Sequence, residues 1–315
     1  PVCFLCNKTV GHVAPAQALC RKRHRMVRAM PGMVSIVAYV LAAAFFGSFA
    51  GAFHPLGDSL AVFRLPIAVA FALWVIWSPW PAWLRWSIAV LCLAAMTQIV
   101  AQKYVSHPEG PVTIYQKNLL FQNDQVEALA ADIRATRPDI VTLQELTSRN
   151  APLVRDLRDE YPHQASCALV DWARLAILSR WPVEGEICLE GQGIVGIQVA
   201  SPQGVFWVFS LHRNWPWPYE QGVPLARILS LLEDLEEPVV IAGDFNMVPW
   251  SFALRSIQRS TDTTRAGPLF STFTKIGAPL PIDHVYAPQG GQASPRPLLG
   301  SDHSGVLAKV FVFEP

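Results

Sequence analysis

The interval 33–101 carries only three formally charged side chains, Asp58, Arg64 and Arg85, and that depletion constrains the chain more than any other feature. Met33 to Phe53 contains no formal charge at all. A helix rises ~1.5 Å per residue, so such a run reaches across the ~30 Å hydrocarbon core of a bilayer. Leu60–Trp77 and Trp83–Val100 have the same character, and three transmembrane helices are therefore expected at about 33–53, 60–77 and 83–100. Arg64 would snorkel to the head groups from the end of the second span. Trp74, Trp77, Trp80, Trp83 and Trp86 gather around the turn Ser78-Pro79-Trp80-Pro81, as an interfacial belt would.

Charge divides the rest of the chain. Residues 1–32 hold six basic side chains and no acid, whereas residues 102–315 hold 17 basic against 23 acidic residues. With 51% hydrophobic residues the chain is not intrinsically disordered. Arg21, Lys22, Arg23, Arg25 and Arg28 flank the first span, so the positive-inside rule keeps the basic segment 1–32 in the cytoplasm. Three crossings then place everything after a linker at 102–109 outside. The expected location is a bacterial inner membrane, multi-pass, with the C-terminal domain periplasmic. Cys167 and Cys188 flank an apparent strand; an oxidising compartment would permit a disulfide, and two unrelated buried thiols fit equally well.

Residues 110–315 alternate strand and helix signals. Val112–Leu120 reads as a strand, and Asn123-Asp124 caps a helix with apolar positions Val126, Leu129, Ala130 and Ile133. Ile140–Leu143 is a buried strand, 151–161 a second helix, and Leu225, Ile228, Leu229 and Leu232 mark a third. Further strands are expected near 174–179, 193–200, 205–211, 239–241 and 305–313. This is an α/β pattern, and its polar residues stand where strands end: Asn118, Gln144-Glu145, His212, Asp244-x-Asn246, Asp283 and Asp302-His303. Such ends converge on one edge of an α/β sheet.

Glu145, Asp244, Asp283 and Asp302 in one crevice would repel one another and need a cation. Oxygen ligands without cysteine favour Mg²⁺, Mn²⁺ or Ca²⁺ over zinc, and Mg²⁺ or Mn²⁺ is the expected cofactor. Two imidazoles beside them suit proton transfer to and from water and a leaving oxygen. Together these groups describe hydrolysis of a phosphate ester.

Asn118, Gln144-Glu145, Ser210-Leu211-His212, Gly243-Asp244-Phe245-Asn246, Ile282-Asp283-His284-Val285 and Ser301-Asp302-His303 resemble, in order, the motif set of the endonuclease/exonuclease/phosphatase superfamily. The resemblance implies a four-layer α/β sandwich (deoxyribonuclease I-like) preceded by the three transmembrane helices, hence a membrane-anchored bacterial member. It further implies that Glu145 ligates the metal with Asn118 beside it, and that Asp283 supports a metal or the site histidine. Asp244 would orient or deprotonate the attacking water, Asn246 would hold a phosphate oxygen, and Asp302 would fix the tautomer of His303. His303 would act as a base or bind phosphate and His212 would be the general acid, with the residues alone leaving open which histidine is acid and which base. His284 is read as packing.

Arg213, Asn214 and Trp215 directly follow the proposed acid and are taken as substrate-binding; Arg174, Arg180 and Arg213 could form a basic patch. A nuclease on duplex DNA would be expected to carry a basic footprint, which this acidic domain does not favour. The bilayer is the expected partner, and a lipid or small phosphate ester the expected substrate. No protein partner is inferred. An extracytoplasmic nuclease and a non-catalytic membrane-tethered binding module are the alternatives.

Overall fold

The structure is a computed structural model that describes residues 36–105, 107–219, 222–275, 277 and 279–314. The basic segment 1–32 lies outside the described residues. Four helices come first: α1 (Ile36–Gly47), α2 (Pro55–Val62), α3 (Arg64–Ile76) and α4 (Ala82–Ala101). The C-terminal region follows as β1 (Val112–Asn118), α5 (Val126–Thr136), β2 (Ile140–Leu146), α6 (Pro152–Asp156), β3 (His163–Val170), β4 (Ala173–Ser179), β5 (Val183–Leu189) and β6 (Ile194–Ser201). It continues with β7 (Gly204–His212), α7 (Gly222–Glu233), β8 (Val239–Asp244), α8 (Phe252–Thr261), β9 (Thr264–Arg265), β10 (Asp283–Ala287), β11 (Gly291–Arg296) and β12 (Gly305–Val310).

Two six-stranded sheets form, in the orders β11-β12-β1-β2-β4-β3 and β5-β6-β7-β8-β10-β9. Each has one parallel pair at its centre, β1 with β2 and β7 with β8, and antiparallel strands around it. Side chains alternate across a strand, so every central strand serves two cores. Ile114, Ile140, Ile177, Val208, Val240 and Val285 fill the space between the sheets. Tyr115, Val141 and Leu178 face α5 and α6 on one outside, and Phe209, Ile241 and Tyr286 face α7 and α8 on the other. The result is the four-layer α/β sandwich that the motif order implies.

Several elements differ from the sequence reading. β3, β5, β10, β11 and α8 stand where no element was expected, because their exposed faces or short lengths dilute the periodic signal. The expected helix 151–161 shrinks to α6. The first turn of α5 is not capped by a side chain; instead the Asn123 carboxamide accepts from the Gln125 N–H, closing a turn before the helix.

The helical module departs further. Among the described residues only α4 is long and apolar enough to cross a membrane. The span expected at 60–77 is broken between α2 and α3 by a bend of 75°, and α1, described from Ile36, ends at Gly47 instead of running to Phe53. Arg64 opens α3 directly after the break. It does not snorkel: its guanidinium is buried against the Phe49 ring, with its centre 4.0 Å from the centroid, and donates to Ser48 Oγ at 2.9 Å and to the Ser48 carbonyl. Both bonds and the ring contact keep the charged group inside the protein instead of at a head-group surface. Phe45, Phe71, Val75, Ile88 and Cys92 pack α1, α3 and α4 together. At the far end of α4 the Gln102 carbonyl accepts from Leu269 N at 3.1 Å, and Ala61, Val62 and Ile99 join the apolar cluster under β7 and β8.

Cys167 on β3 and Cys188 on β5 are bridged, with Cα atoms 5.5 Å apart. The bond therefore staples an edge of one sheet to an edge of the other. Closing a loop of this length lowers the entropy of the unfolded chain, worth about 3 kcal/mol. A Cys167→Ala/Cys188→Ala double variant should lose about that much unfolding free energy in urea titration; a loss under ~1 kcal/mol would show that the two edges are held by packing alone.

Candidate active site

Inward-facing positions of the central strands run from apolar to polar as they approach one edge. On β1 Val112 and Ile114 are followed by Gln116 and Asn118; on β7 Phe206 and Val208 are followed by Ser210 and His212; on β8 Val240 and Ala242 are followed by Asp244. β10 runs the other way, so Asp283 comes first and Val285 and Ala287 after it. Register then aligns His212 with Asp244 and Asp244 with Asp283. The close approach requires Gly243, since a Cβ there would fall 1.9 Å from the Leu211 carbonyl oxygen.

Glu145 reaches the same edge by a different device. By simple alternation it would point outward, between Leu143 and Leu146 in the outer core. The pairing of β2 with β4 shifts register between those two residues, and Glu145 takes a left-handed φ of 57°. That bulge turns its carboxylate into the cleft, and Asn150 Nδ2 holds the Glu145 carbonyl at 3.1 Å. Asn246 also has a positive φ, 48°, which asparagine tolerates.

The polar groups form one connected network. Asn118 Nδ2 donates to Glu145 Oε1 at 3.1 Å and to Asp244 Oδ2 at 3.0 Å. His212 Nε2 lies 3.3 Å from Glu145 Oε1 and 3.7 Å from Asp244 Oδ2. His303 Nε2 lies 3.7 Å from Asp244 Oδ2, and its Nδ1 lies 2.7 Å from Asp283 Oδ2. Asn246 N donates to Asp244 Oδ1 at 2.8 Å, and Asn246 Nδ2 to the Arg213 carbonyl at 2.7 Å.

Charge follows this geometry. Burial pushes the Asp244 carboxyl upward, reinforced by Asp283, although His303 and His212 oppose the shift. Burial resists ionisation of Asp283 too, yet the His303 imidazole holds it below the usual carboxylate range. Burial likewise opposes the charge on His303, but Asp283 and Asp244 outweigh it and raise the imidazole to about 10. His212 is raised against burial by Glu145 and Asp244. Glu145 is held at about 2, against burial, chiefly by His212 and Asn118.

These donors fit a hard divalent cation. Single ligand atoms of Asp244, Asp283 and His303 lie within 4.8 Å of one another, while Glu145 and Asn118 offer a second grouping that shares Asp244. The second is the better cradle. Asp283 has no accessible side-chain surface and is committed to His303 and Gln116, whereas 21% of the Glu145 side chain is open to the cleft. The contact that Asp283 makes in this structure is with the site histidine.

Other expected roles are corrected. Asp302 does not fix His303: its carboxylate pairs with Lys275 at 3.1 Å. In the bend before β12 it is Ser301 that braces His303, its Oγ accepting from His303 N at 3.0 Å and donating to the Asn118 carbonyl at 2.7 Å. The Trp215 ring packs 6.5 Å from that of Phe63, at the α2–α3 break. Arg213 is buried, and with Asn214, Gly193 and Pro224 it lines a small cavity beside His212. Arg180 stacks on Tyr161 at the opposite end of its sheet, so no basic patch of Arg174, Arg180 and Arg213 forms at the cleft. His284 is a packing residue: burial drives its imidazole down to about 3, and Nε2 lies 3.1 Å from the Met247 carbonyl oxygen.

Three supporting residues escaped sequence reasoning. Gln116 Nε2 bonds Gln144 Oε1 at 2.8 Å and Asp283 Oδ1 at 2.9 Å, linking the sheets. Thr272 Oγ1 accepts from Asp283 N at 3.1 Å. Buried Lys117 donates to the carbonyls of Pro297, Leu298 and His303 and so shapes the loop that delivers His303; burial lowers its ammonium to about 8. The available signal was Gln116-Lys117-Asn118, a polar run closing a strand that is otherwise buried.

Residues 116–303 match the model of a family described as the endonuclease/exonuclease/phosphatase family. No curated protein sequence matches the chain. Solved structures share the fold at low identity. Truncated TDP2 from Caenorhabditis elegans is 16% identical over 62% of this chain and 96% of that chain, with a TM-score of 0.52. The 3′ phosphatase NExo from Neisseria, bound to product DNA hairpin, is 18% identical over 64% and 99%, with a TM-score of 0.51. Beta toxin from Staphylococcus aureus, with bound magnesium ions, is 12% identical over 64% and 99%, with a TM-score of 0.50.

The pairing of Asp283 with His303 sets a pH test. A histidine raised from 6.5 to about 10 contributes stability that is full below about 6.5 and is lost as pH rises through 10. In an Asp283→Asn variant in EDTA, the His303 ring should titrate by NMR well below 10, and the alkaline loss of stability should shrink. An unchanged titration would show that another group carries the imidazole's charge.

Proposed function

The chain belongs to the endonuclease/exonuclease/phosphatase family and is a metal-dependent phosphoric ester hydrolase; from that premise we propose that it is anchored in a membrane and acts on a lipid or small-molecule phosphate ester outside the cytoplasm. The exposure of α4 carries the membrane part of this reading. Only 22% of its apolar window is buried, where the core helix of a soluble domain would be mostly covered. Trp83 and Trp86 lie exposed near its start and Tyr104 just past its end, separated by about the ~30 Å of a hydrocarbon core. The bridge between Cys167 and Cys188 supports an oxidising compartment.

Glu145 and Asn118, with Asp244 beside them, would hold Mg²⁺ or Mn²⁺, and the ion would neutralise phosphate oxygens and acidify water. Asp244, with its carboxyl pushed up by burial, is suited to take a proton from the attacking water. His303, steadied by Asp283, and Asn246 hold phosphate oxygens. Protonated His212, set between two carboxylates, gives its proton to the leaving oxygen.

One observation favours a second reading, a nuclease. Phe121, whose N–H donates to Glu145 Oε2 at 2.9 Å, pairs edge-on with Trp172 at 5.5 Å, and both rings are exposed. Such rings beside a metal ligand could stack on bases.

Turnover of bis-p-nitrophenyl phosphate, plasmid and phospholipid vesicles, each with Mg²⁺ or EDTA, separates the readings. EDTA-sensitive release from vesicles is expected; plasmid nicking alone would favour the nuclease, and no turnover of any substrate would favour a binding module. Glu145→Gln should lower metal-supported turnover at least ~10²-fold while leaving the unfolding midpoint within a few degrees. Fusion of alkaline phosphatase after Glu314 should be active in cells, and fluorescence from a green fluorescent protein fusion instead would place the domain in the cytoplasm.

A further inference from the structure

One turn of α2 grips both loops that leave the catalytic strands. The loop after His212 is held by Ser59, whose Oγ donates to the Trp217 carbonyl at 3.2 Å and accepts from Trp217 N at 3.1 Å. The segment after Asp244 and Asn246 is held at three points. Trp250 Nε1 donates to the Ala61 carbonyl at 2.7 Å, and Arg64 reaches the Trp250 carbonyl at 3.5 Å. Asp58 then accepts from Phe252 N at 2.6 Å and Ala253 N at 2.9 Å, capping α8 from outside its own sequence. Asp58 is 4% exposed and Arg64 2%, inside a stretch too apolar to retain charges without partners. A Cβ at Gly51 would lie 2.2 Å from Asp58 Oδ1 and 2.8 Å from Phe252 Cβ, so glycine is what lets the turn close on α8.

Between these grips and the chemistry the chain is short and tight. Asn246 is fastened to Asp244 and to the Arg213 carbonyl, Phe245 N donates to the Ile282 carbonyl at 2.9 Å, and Ser251 N to the Val248 carbonyl at 3.0 Å. Little slack remains to absorb a shift at Trp250 before Asn246 moves.

We infer that the α2 turn from Asp58 to Ala61 is a positioning element of the active site, so that full turnover needs the helical module docked on the sandwich. The inference rests on the hydrolase reading, and on neither the substrate nor the bilayer. The catalytic unit accordingly begins near Pro55 and not after α4.

The full chain in detergent micelles provides the test, with Mg²⁺-dependent hydrolysis of bis-p-nitrophenyl phosphate as one readout. Asp58→Ala should lower kcat about tenfold with KM within about twofold. Asp58→Asn, which keeps one acceptor, should fall between the two. A second readout needs no turnover: Asp58→Ala should shift the imidazole NMR signals of His212 and His303 and speed hydrogen exchange at residues 245–247. Parent kcat together with unmoved imidazole signals would reduce the contact to plain anchoring and overturn the inference. An inactive parent whose signals still shift in the variant would instead remove the hydrolase reading. If Asp58→Ala does not fold, Trp250→Phe removes the bond to Ala61 together with part of the buried indole; it should cost about threefold in kcat with the same signal shifts, and no change in either is fatal to the idea.

Discussion

Asp244 is a carboxylate at 1% exposure between two sheets, and the rest of the polar edge is arranged to make that tolerable. An ionised carboxylate buried without partners costs several kcal/mol. Here Asn118 and the Asn246 N–H donate to it while two imidazoles stand 3.7 Å away. Removing any of these partners leaves a desolvated group behind, so the members of the network support one another. The same low-dielectric setting strengthens each interaction aimed at a phosphate.

The sandwich supplies this setting through strand alternation. Inward positions that are Val, Ile or Phe deep between the sheets become Gln, Asn, Ser, His and Asp at one edge, so the site continues the core instead of perching on a loop. Rigid strands fix Asn118, His212, Asp244 and Asp283 by register. Glu145 and Asn246 reach the cleft through left-handed backbone, which costs the glutamate more than the asparagine. Sites of this kind concentrate strain where precision matters and leave the scaffold regular.

The helical module is continuous with this construction. α2 contributes Ala61 and Val62 to the cluster under β7 and β8, and Arg64 spends its donors on Ser48 and Trp250. The apolar faces of α3 and α4 point elsewhere, leaving Leu73, Val90 and Leu93 exposed. The helical module thus offers an apolar surface outward and a polar elbow inward, and the polar elbow lies where the expected second span bends.

What the chain's local pattern determined was the class of fold, the strand ends at Asn118, Gln144, His212 and Asp244, and the identity of the polar residues gathered there. Those are properties of neighbouring residues, since alternation and β-branched runs are written within a few positions. What only the tertiary structure decided was pairing. Asp283 rather than Asp302 holds His303, Gln116 links the sheets, Trp215 meets Phe63, and Asp58 caps a helix far along the chain. A single-residue step reverses the face of a strand, and a bulge at Glu145 reverses it again. Such choices depend on register and on contacts between distant segments, and periodicity along one strand carries no information about them.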